Sequence, residues 1–258
     1  MEKIFIQNRK NQKICVLIEQ PAGIEKGLAF VMHGLGGFKD QPHIAVFAKA
    51  FLDNGYTVVR FDTTNTFGES DGQYEDATVT NYYEDLEDLI SWAKGRSWYQ
   101  EPFCLVGHSL GGICTALYAE RHPEKVKALA PISTVVSGEL SVDCRNPDET
   151  KEWERTGWRI EPSLSRPGHF KKLKWAHMLD RLKYDLLPEV GRLAMPVLLI
   201  VGDQDTHTPS AHQQILLDAI PGSKKEMHVV KNAPHTFRAP EHLEEISDIF
   251  NKWIEKYG

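Results

Sequence analysis

The chain has 258 residues, a length at which α/β folds are commonly single domains, and its 41% hydrophobic and 26% charged residues are enough for a sizeable core. Its formal net charge of -6 argues against nucleic-acid binding, which needs concentrated positive charge. No stretch is apolar over the length of a membrane helix, and the N-terminal pattern is that of a strand rather than a signal peptide. We therefore expect a cytoplasmic protein without stable membrane insertion.

Strand and helix patterns alternate along the first half of the chain. Two short alternating segments, 3–7 and 13–19, predict an antiparallel hairpin. The elements predicted next are strand 28–32, helix 43–53, strand 56–61, helix 81–94, strand 103–106, helix 109–121 and strand 126–132. Such alternation indicates a mostly parallel sheet with helices on both faces.

The alternation stops between about 135 and 193, where no strand is predicted. An interruption of about sixty residues is too long for a plain loop in a compact domain. We predict that this segment is a small, mostly helical lid inserted after the sixth strand. Strand 196–201, helix 210–220, strand 225–230 and helix 240–256 follow and bring the predicted sheet to eight strands.

A nucleophile motif lies where the fifth predicted strand meets a helix. Residues 106–112 read Val-Gly-His-Ser-Leu-Gly-Gly, and a Gly-x-Ser-x-Gly sequence in a strand–turn–helix context is typical of a nucleophile elbow. The sharp turn holds the serine at a strained backbone angle, so only glycine fits two residues before and after it. Ser109 is therefore the candidate nucleophile.

A serine hydroxyl needs a base, and the base needs an acid that orients it. In open-sheet enzymes of this kind the chain order is serine, acid, histidine. Asp203 and Asp205 follow one predicted strand, and His235 follows the next. Either aspartate fits the role of the acid, since the other can cap the turn. All three loops follow the carboxyl ends of strands, where ligands of such sheets bind.

The segment 33–37, His-Gly-Leu-Gly-Gly, follows the third strand and supplies an oxyanion site. A tetrahedral intermediate carries a negative oxygen, which two backbone N–H groups can hold. The predicted donors are Leu35 and Leu110, and losing one such donor typically costs about 3–4 kcal/mol. His33, Gly34 and His108 flank these motifs and are assigned supporting roles on the substrate side.

Together these motifs resemble the α/β-hydrolase fold family over essentially the whole chain. The resemblance implies that Ser109 is the nucleophile, His235 the base, and Leu35 and Leu110 the oxyanion donors. The family's Gly-x-x-Asp spacing, present here as Gly202 to Asp205, selects Asp205 as the acid. Within the family the chain looks most similar to feruloyl or cinnamoyl esterases and to monoacylglycerol lipases. Residues 64–66, Thr-Asn-Thr, depart from the Gly-rich turn that such sequences often carry after the fourth strand.

Three tryptophans of the lid, Trp153, Trp158 and Trp175, are candidates for the walls of a substrate pocket, since aromatic walls suit an apolar acyl or aryl group. The alternative is that they only anchor the lid to the core. The lid also has a basic run, Arg166, Lys171, Lys172 and Lys174. A solvated helix face is the favoured interpretation of that run, over a site for a substrate carboxylate.

The sequence thus predicts a serine esterase that cleaves a small-molecule carboxylic ester through an acyl-enzyme, with no cofactor and no metal. The four cysteines form no Cys-x-x-Cys pair and are expected to be free thiols. Acyl thioesterase and monoacylglycerol lipase are alternatives within the fold, and a non-catalytic ligand receptor is the alternative from another class. The oligomeric state stays open, with a homodimer as one option.

Overall fold

The computed structural model describes residues 1–162 and 170–258. The strands of this part of the chain are β1 (Glu2–Gln7), β2 (Lys13–Glu19), β3 (Gly27–Met32), β4 (Tyr56–Phe61), β5 (Phe103–His108), β6 (Val126–Ile132), β7 (Trp158–Pro162), β8 (Phe170–Lys174), β9 (Val197–Gly202) and β10 (Lys225–Val230). Its helices are α1 (Pro42–Asp53), α2 (Val79–Ala93), α3 (Leu110–Arg121), α4 (Gly138–Asp143), α5 (Pro147–Thr156), α6 (Ala176–Arg181), α7 (Ser210–Ala219) and α8 (Pro240–Tyr257).

Eight of the strands form one sheet in the order β1-β2-β4-β3-β5-β6-β9-β10. The β1–β2 and β2–β4 pairs are antiparallel, and all other neighbours are parallel. The eight-stranded, mostly parallel sheet and its antiparallel hairpin are thereby confirmed. Residues 14–18 of β2 and all of β3, β5 and β9 are buried, because helices cover both faces.

Each face of the sheet has its own apolar core. Helices α1 and α8 cover one face, where Phe47 and Phe250 stack with ring centroids 4.9 Å apart. Helices α2 and α3 cover the other face together with part of the lid. Strand register brings the functional loops to one edge, since Met32 pairs with Gly107 and Gly202 pairs with Val230. The loops after β3, β5, β9 and β10 therefore start at comparable heights.

The insertion after β6 contains α4, α5, β7, β8 and α6. The prediction of a strand-free, mostly helical lid was wrong in one respect, because β7 and β8 pair antiparallel from Trp158↔Lys174 to Pro162↔Phe170. Both strands are short and largely exposed, so neither has the buried apolar run that identifies a strand in the sequence. No helix in the described part of the chain is long and apolar enough to span a membrane. Arg166 lies outside the described residues.

Candidate active site

Ser109 lies on the turn between β5 and α3 with φ 55° and ψ -113°, a left-handed backbone that a residue with a side chain adopts only under strain. The turn is tight enough to require its glycines. A Cβ on Gly107 would overlap the carbonyl of Gly111, and one on Gly111 would overlap the carbonyl of His33. The turn therefore holds the serine hydroxyl clear of the backbone, at the end of the strand.

Ser109, His235 and Asp205 form a hydrogen-bonded chain across three loops. His235 Nε2 is 2.9 Å from Ser109 Oγ, and His235 Nδ1 is 2.7 Å from Asp205 Oδ2. An ionised carboxylate can only accept hydrogen bonds, so His235 carries its proton on Nδ1 and donates it to Asp205. The lone pair on Nε2 is then free to accept the serine hydroxyl proton. This is the geometry of a nucleophile, a base and an orienting acid.

Asp205 is buried and held by its own loop. The backbone N–H groups of His207 and Thr208 each donate to Oδ1 over 2.9 Å, and the Thr208 hydroxyl donates to Oδ2 over 2.8 Å. Burial alone would raise the pKa of Asp205, but the hydrogen bonds from His235 and Thr208 outweigh it and the pKa lies well below its ordinary value. Asp203 is exposed, and its carboxylate accepts no hydrogen bond from the described residues.

His33 and His108 support the loops that carry the site. His108 is buried, and its Nε2 donates to the backbone carbonyl of His235 over 2.9 Å. His33 Nε2 accepts from the Thr63 backbone N–H over 3.0 Å, so its Nδ1–H donates to the Gly34 carbonyl over 2.7 Å. Burial lowers the pKa of both imidazoles, which keeps them neutral. They lie behind the reacting atoms, where each fixes a loop.

The loop after β3 lies directly against the nucleophile turn. A Cβ on Gly34 would come within 3.0 Å of the His108 carbonyl oxygen and of Ser109 Cβ, so only glycine allows this approach. Leu110 is the first residue of α3, where a backbone N–H has no acceptor within the helix. Neither Leu35 nor Leu110 donates its N–H to a turn, loop or cap in the described part of the chain. Both amides are free to bind an oxyanion.

A cavity of about 400 Å³ opens above Ser109 and His235. Its other lining residues are Leu35, Tyr74, Val135, Arg145, Arg159, Glu161, Pro162, Lys171, Arg181, His207, Thr208, Thr236 and Arg238. None of the three lid tryptophans is among the residues that line it.

The tryptophans lie elsewhere in the lid. Trp153 is buried, donates from Nε1 to the Leu173 carbonyl over 3.0 Å, and packs edge-on against Trp175 at 5.2 Å between ring centroids. Trp158 is partly exposed and lines a separate outer cavity together with Trp153. This placement corresponds to the lid-anchoring alternative.

Sequence reasoning missed two sets of site residues. Thr208 bonds Asp205 and also donates to the Ser133 carbonyl over 2.9 Å. Its position three residues after an aspartate at a strand end is a turn signal that could have identified it. The cavity arginines have no such signal, because they come from well-separated segments. Of the basic run considered in the sequence, Lys171 lines the cavity and Lys174 pairs with Asp76.

One group of side chains has the spacing of a cation site. Ligand atoms of Cys15, Asp62 and Glu69 lie close together. The ammonium of Lys39 already lies among them, 3.1 Å from Asp62 and 2.6 Å from Glu69. The pKa of Lys39 is raised because these carboxylate contacts outweigh its burial. The cluster is thus a buried Lys39–Asp62 ion pair, joined by the exposed Glu69, that closes the loop after β4.

Comparison with known proteins agrees with this architecture. A family model described as the alpha/beta hydrolase fold matches residues 30–166. The bovine mitochondrial palmitoyl-protein thioesterase ABHD10 is 27% identical over 84% of this chain and 69% of its own length. The thermostable monoacylglycerol lipase of Bacillus sp. (strain H-257) is 28% identical over 77% of this chain and 80% of its own.

Among solved structures, Est1E from Butyrivibrio proteoclasticus with bound ferulic acid superposes with a TM-score of 0.81 at 20% identity, over 98% of each chain. At this identity the likeness concerns the fold. The family match covers more than half of the chain, including the loop after β3 and the nucleophile turn at Ser109. The chain therefore belongs to the alpha/beta hydrolase fold family, as a hydrolase with esterase-like neighbours.

Proposed function

We propose that this protein is a serine hydrolase that cleaves small carboxylic esters through a Ser109–His235–Asp205 triad and an acyl-enzyme. The observation that carries the proposal is the continuous hydrogen-bonded chain from Ser109 Oγ through His235 to Asp205, with steps of 2.9 and 2.7 Å. The two unused amides beside the serine provide the remaining catalytic element.

Acylation begins when His235 Nε2 takes the proton of Ser109 as Oγ attacks the ester carbonyl carbon. The carbonyl oxygen becomes negative and accepts hydrogen bonds from the Leu35 and Leu110 N–H groups. The imidazolium then gives its proton to the leaving alcohol, and the acyl group stays on Ser109. Asp205 stabilises the imidazolium throughout, which fits a carboxylate whose pKa lies below its ordinary value.

Deacylation repeats these steps with water as the nucleophile. His235 takes a proton from water as its oxygen attacks the acyl carbon, and the same two amides hold the oxyanion. Collapse returns the proton to Ser109 and releases the carboxylic acid. A histidine acts as a general base only in its neutral form.

The size of the cavity favours a small substrate. About 400 Å³ suits a short acyl chain or an aryl-acyl group, and Est1E, which shares the fold, has an aryl acid, ferulic acid, bound. Acyl thioester hydrolysis is the second candidate, because the relatives over 84% of this chain include palmitoyl-protein thioesterases. The same triad chemistry serves both leaving groups.

A substrate panel tests the proposal. We expect 4-nitrophenyl esters to be cleaved fastest at short chain length, aryl esters such as methyl ferulate to be accepted, and acyl-CoA thioesters to be slower. Rates that rise steadily to long acyl chains would favour a lipase, and a strong preference for thioesters would favour a thioesterase.

A fluorophosphonate probe, applied alongside the panel, separates the enzyme from the receptor alternative. Labelling of Ser109 together with turnover supports the enzyme. Labelling without turnover of any ester or thioester would overturn it. Ser109→Ala should abolish the labelling, and Ser223→Ala, which changes an exposed serine in the loop before β10, serves as the matched control.

A further inference from the structure

Positive charge is concentrated around the cavity above Ser109. Among the described residues, five cationic side chains line it, namely Arg145, Arg159, Lys171, Arg181 and Arg238, against one carboxylate, Glu161. The chain as a whole carries a formal net charge of -6, so this concentration does not follow from composition. Charges of one sign in a concave site raise the local concentration of ligands of the opposite sign.

Arg181 is buried and Arg145 is half-buried, and neither pairs with a carboxylate of the described residues. Arg181 is only 6% exposed, and in the described part of the chain no carboxylate lies within salt-bridge distance of Arg181 or Arg145. The Nε atoms of both are buried and make no hydrogen bond there. Residues 163–169 contain no Asp or Glu, so that segment cannot supply a carboxylate either.

Two other arginines of this protein do pair with a carboxylate. Arg60 is also buried, but it pairs with Glu19 at 2.7 Å and donates to the Lys39 carbonyl over 3.0 Å. Within the cavity, Arg159 pairs with Glu161 at 3.1 Å. Among the described residues, the lack of a carboxylate partner therefore distinguishes Arg181 and Arg145 from Arg60 and Arg159, which each pair with a glutamate.

The arrangement is unfavourable while the cavity holds only the protein's own groups. Burying an unpaired charge is costly, and here Arg145 and Arg159 also repel Arg181. Burial first, and then these two neighbours, lower the pKa of Arg181, and burial and Arg159 lower that of Arg145. An anion between the guanidinium groups would relieve both costs, since each planar guanidinium can bind an oxyanion through two parallel hydrogen bonds.

We propose that the substrate carries an oxyanion, a carboxylate or a phosphate, which Arg181 and Arg145 bind while Ser109 attacks the ester group. This assignment rests on the proposed serine hydrolase function and narrows it to anionic esters. The guanidinium groups line one cavity together with Ser109 and His235, so a single small molecule reaches both. Arg181 and Arg145 are binding residues in this scheme and take no part in bond breaking.

Three matched esters test the proposal. Mono-4-nitrophenyl adipate carries a free carboxylate, its methyl ester is neutral, and a third 4-nitrophenyl ester of similar length ends in a phosphate group. We expect at least one anionic ester to exceed the neutral one in kcat/KM by about 10- to 100-fold, the range that one hydrogen bond to a charged group supplies. The advantage should shrink as ionic strength rises. The ratio between the two anionic esters then distinguishes carboxylate from phosphate.

Variants assign the preference to residues. Arg181→Met and Arg145→Gln should each reduce the anionic-to-neutral ratio of kcat/KM by about tenfold or more. Arg155→Gln removes the same charge from an exposed lid residue that pairs with Glu152 at 2.6 Å, and it should keep the wild-type ratio. Thermal melting shows whether Arg181→Met is folded, and we expect its midpoint to equal or exceed that of the wild type because an unpaired buried charge is removed.

The outcomes separate this proposal from the proposed function. Equal or better cleavage of the neutral ester by the wild type overturns the anionic substrate and leaves the serine hydrolase intact. If no ester is cleaved, calorimetry of mono-4-nitrophenyl adipate and its methyl ester on Ser109→Ala decides the matter without turnover. Tighter binding of the monoanion that is lost in Ser109→Ala/Arg181→Met supports the anion site, and equal binding of the two esters overturns it.

Discussion

The sheet edge and the lid form the two halves of one cavity, and they differ in whether their polar side chains have hydrogen-bond partners. At the edge, Asp205 and His235 each have hydrogen-bond partners within the chain, from Ser109 to Thr208. In the lid, Arg145 and Arg181 have Nε atoms that no described residue binds. Side chains that hydrogen-bond one another are held in position before any substrate binds. Side chains whose polar atoms lack a hydrogen-bond partner can gain one from a ligand. We therefore propose that the reaction takes place at the sheet edge and that the lid selects the substrate.

The largest effect expected at the sheet edge is that of Ser109→Ala. Removing the nucleophile should lower kcat by a factor on the order of 10⁴ to 10⁶, while the fold stays intact because the side chain is small and its helix is held by the core. Steady-state kinetics on a short 4-nitrophenyl ester measures the loss. A folded variant with near-normal turnover would remove the sheet edge from the chemistry altogether.

The acid gives the next largest effect and a built-in control. Asp205→Asn should lower kcat by about 10⁴-fold, because an amide cannot hold the imidazole in the required tautomer. Asp203 lies two residues away and is exposed, so Asp203→Asn should change kcat by less than about twofold. Comparable losses in the two variants would show that the hydrogen bond of Asp205 to His235 is not what orients the base.

A glycine at the edge tests how tightly the oxyanion loop is held. Gly34→Ala places a methyl group 3.0 Å from the His108 carbonyl oxygen and Ser109 Cβ, so the loop bearing Leu35 must shift. We expect a loss of about 10²-fold in kcat, as a misplacement of about 1 Å typically costs. Gly23→Ala, where the added methyl meets nothing within 4 Å, is the matched control. Equal rates in both variants would indicate that the Leu35 amide is not an oxyanion donor.

The smallest expected effect is a change in thermal stability at Glu120, at the end of α3 that packs against the lid. Glu120 is 3% exposed, its Oε1 has no partner among the described residues, and burial, with Glu189 and Asp185 nearby, raises its pKa to about 8. A carboxyl group whose pKa is raised on folding favours the folded state most at low pH, where the group is protonated. That contribution is lost as pH rises from its ordinary value of 4.5 to about 8.

Glu120→Gln should therefore melt at a higher temperature than the wild type at pH 8, by roughly 3–8 °C, with the gap closing near pH 4.5. Melting curves across this range measure the difference. The control is Glu124→Gln, a change at an exposed neighbour, which should leave the melting temperature unchanged at every pH. A constant gap at all pH values would assign the effect to packing instead of charge.

The features that sequence predicted well are those with a local signal. The nucleophile turn, the strands before it and the two loops that follow β9 and β10 are each read from a few neighbouring residues, because glycines and apolar runs fix local conformation. Chain order then implied that Ser109, Asp205 and His235 could meet, and the structure places their side chains in hydrogen-bond contact.

The features that the sequence did not predict depend on contacts between segments that are distant along the chain. His108 donates to the carbonyl of His235, 127 residues away, and no local pattern encodes that bond. Arg145 and Arg181 come from separate parts of the lid and are recognisable as a pair only once the cavity is formed. Strands β7 and β8 escaped because each is short and stabilised chiefly by the other, so neither has a buried face strong enough to set a pattern.

One competition experiment tests both halves of the comparison together. Equal amounts of mono-4-nitrophenyl adipate and its methyl ester are mixed with the wild-type enzyme, quenched in acid within the first turnover, and the peptides analysed by mass spectrometry. We predict an acyl adduct on the peptide that carries Ser109, with the free-carboxylate adduct at least tenfold more abundant than the methyl ester adduct. An adduct on another residue, or a predominance of the neutral acyl group on Ser109, would contradict the account.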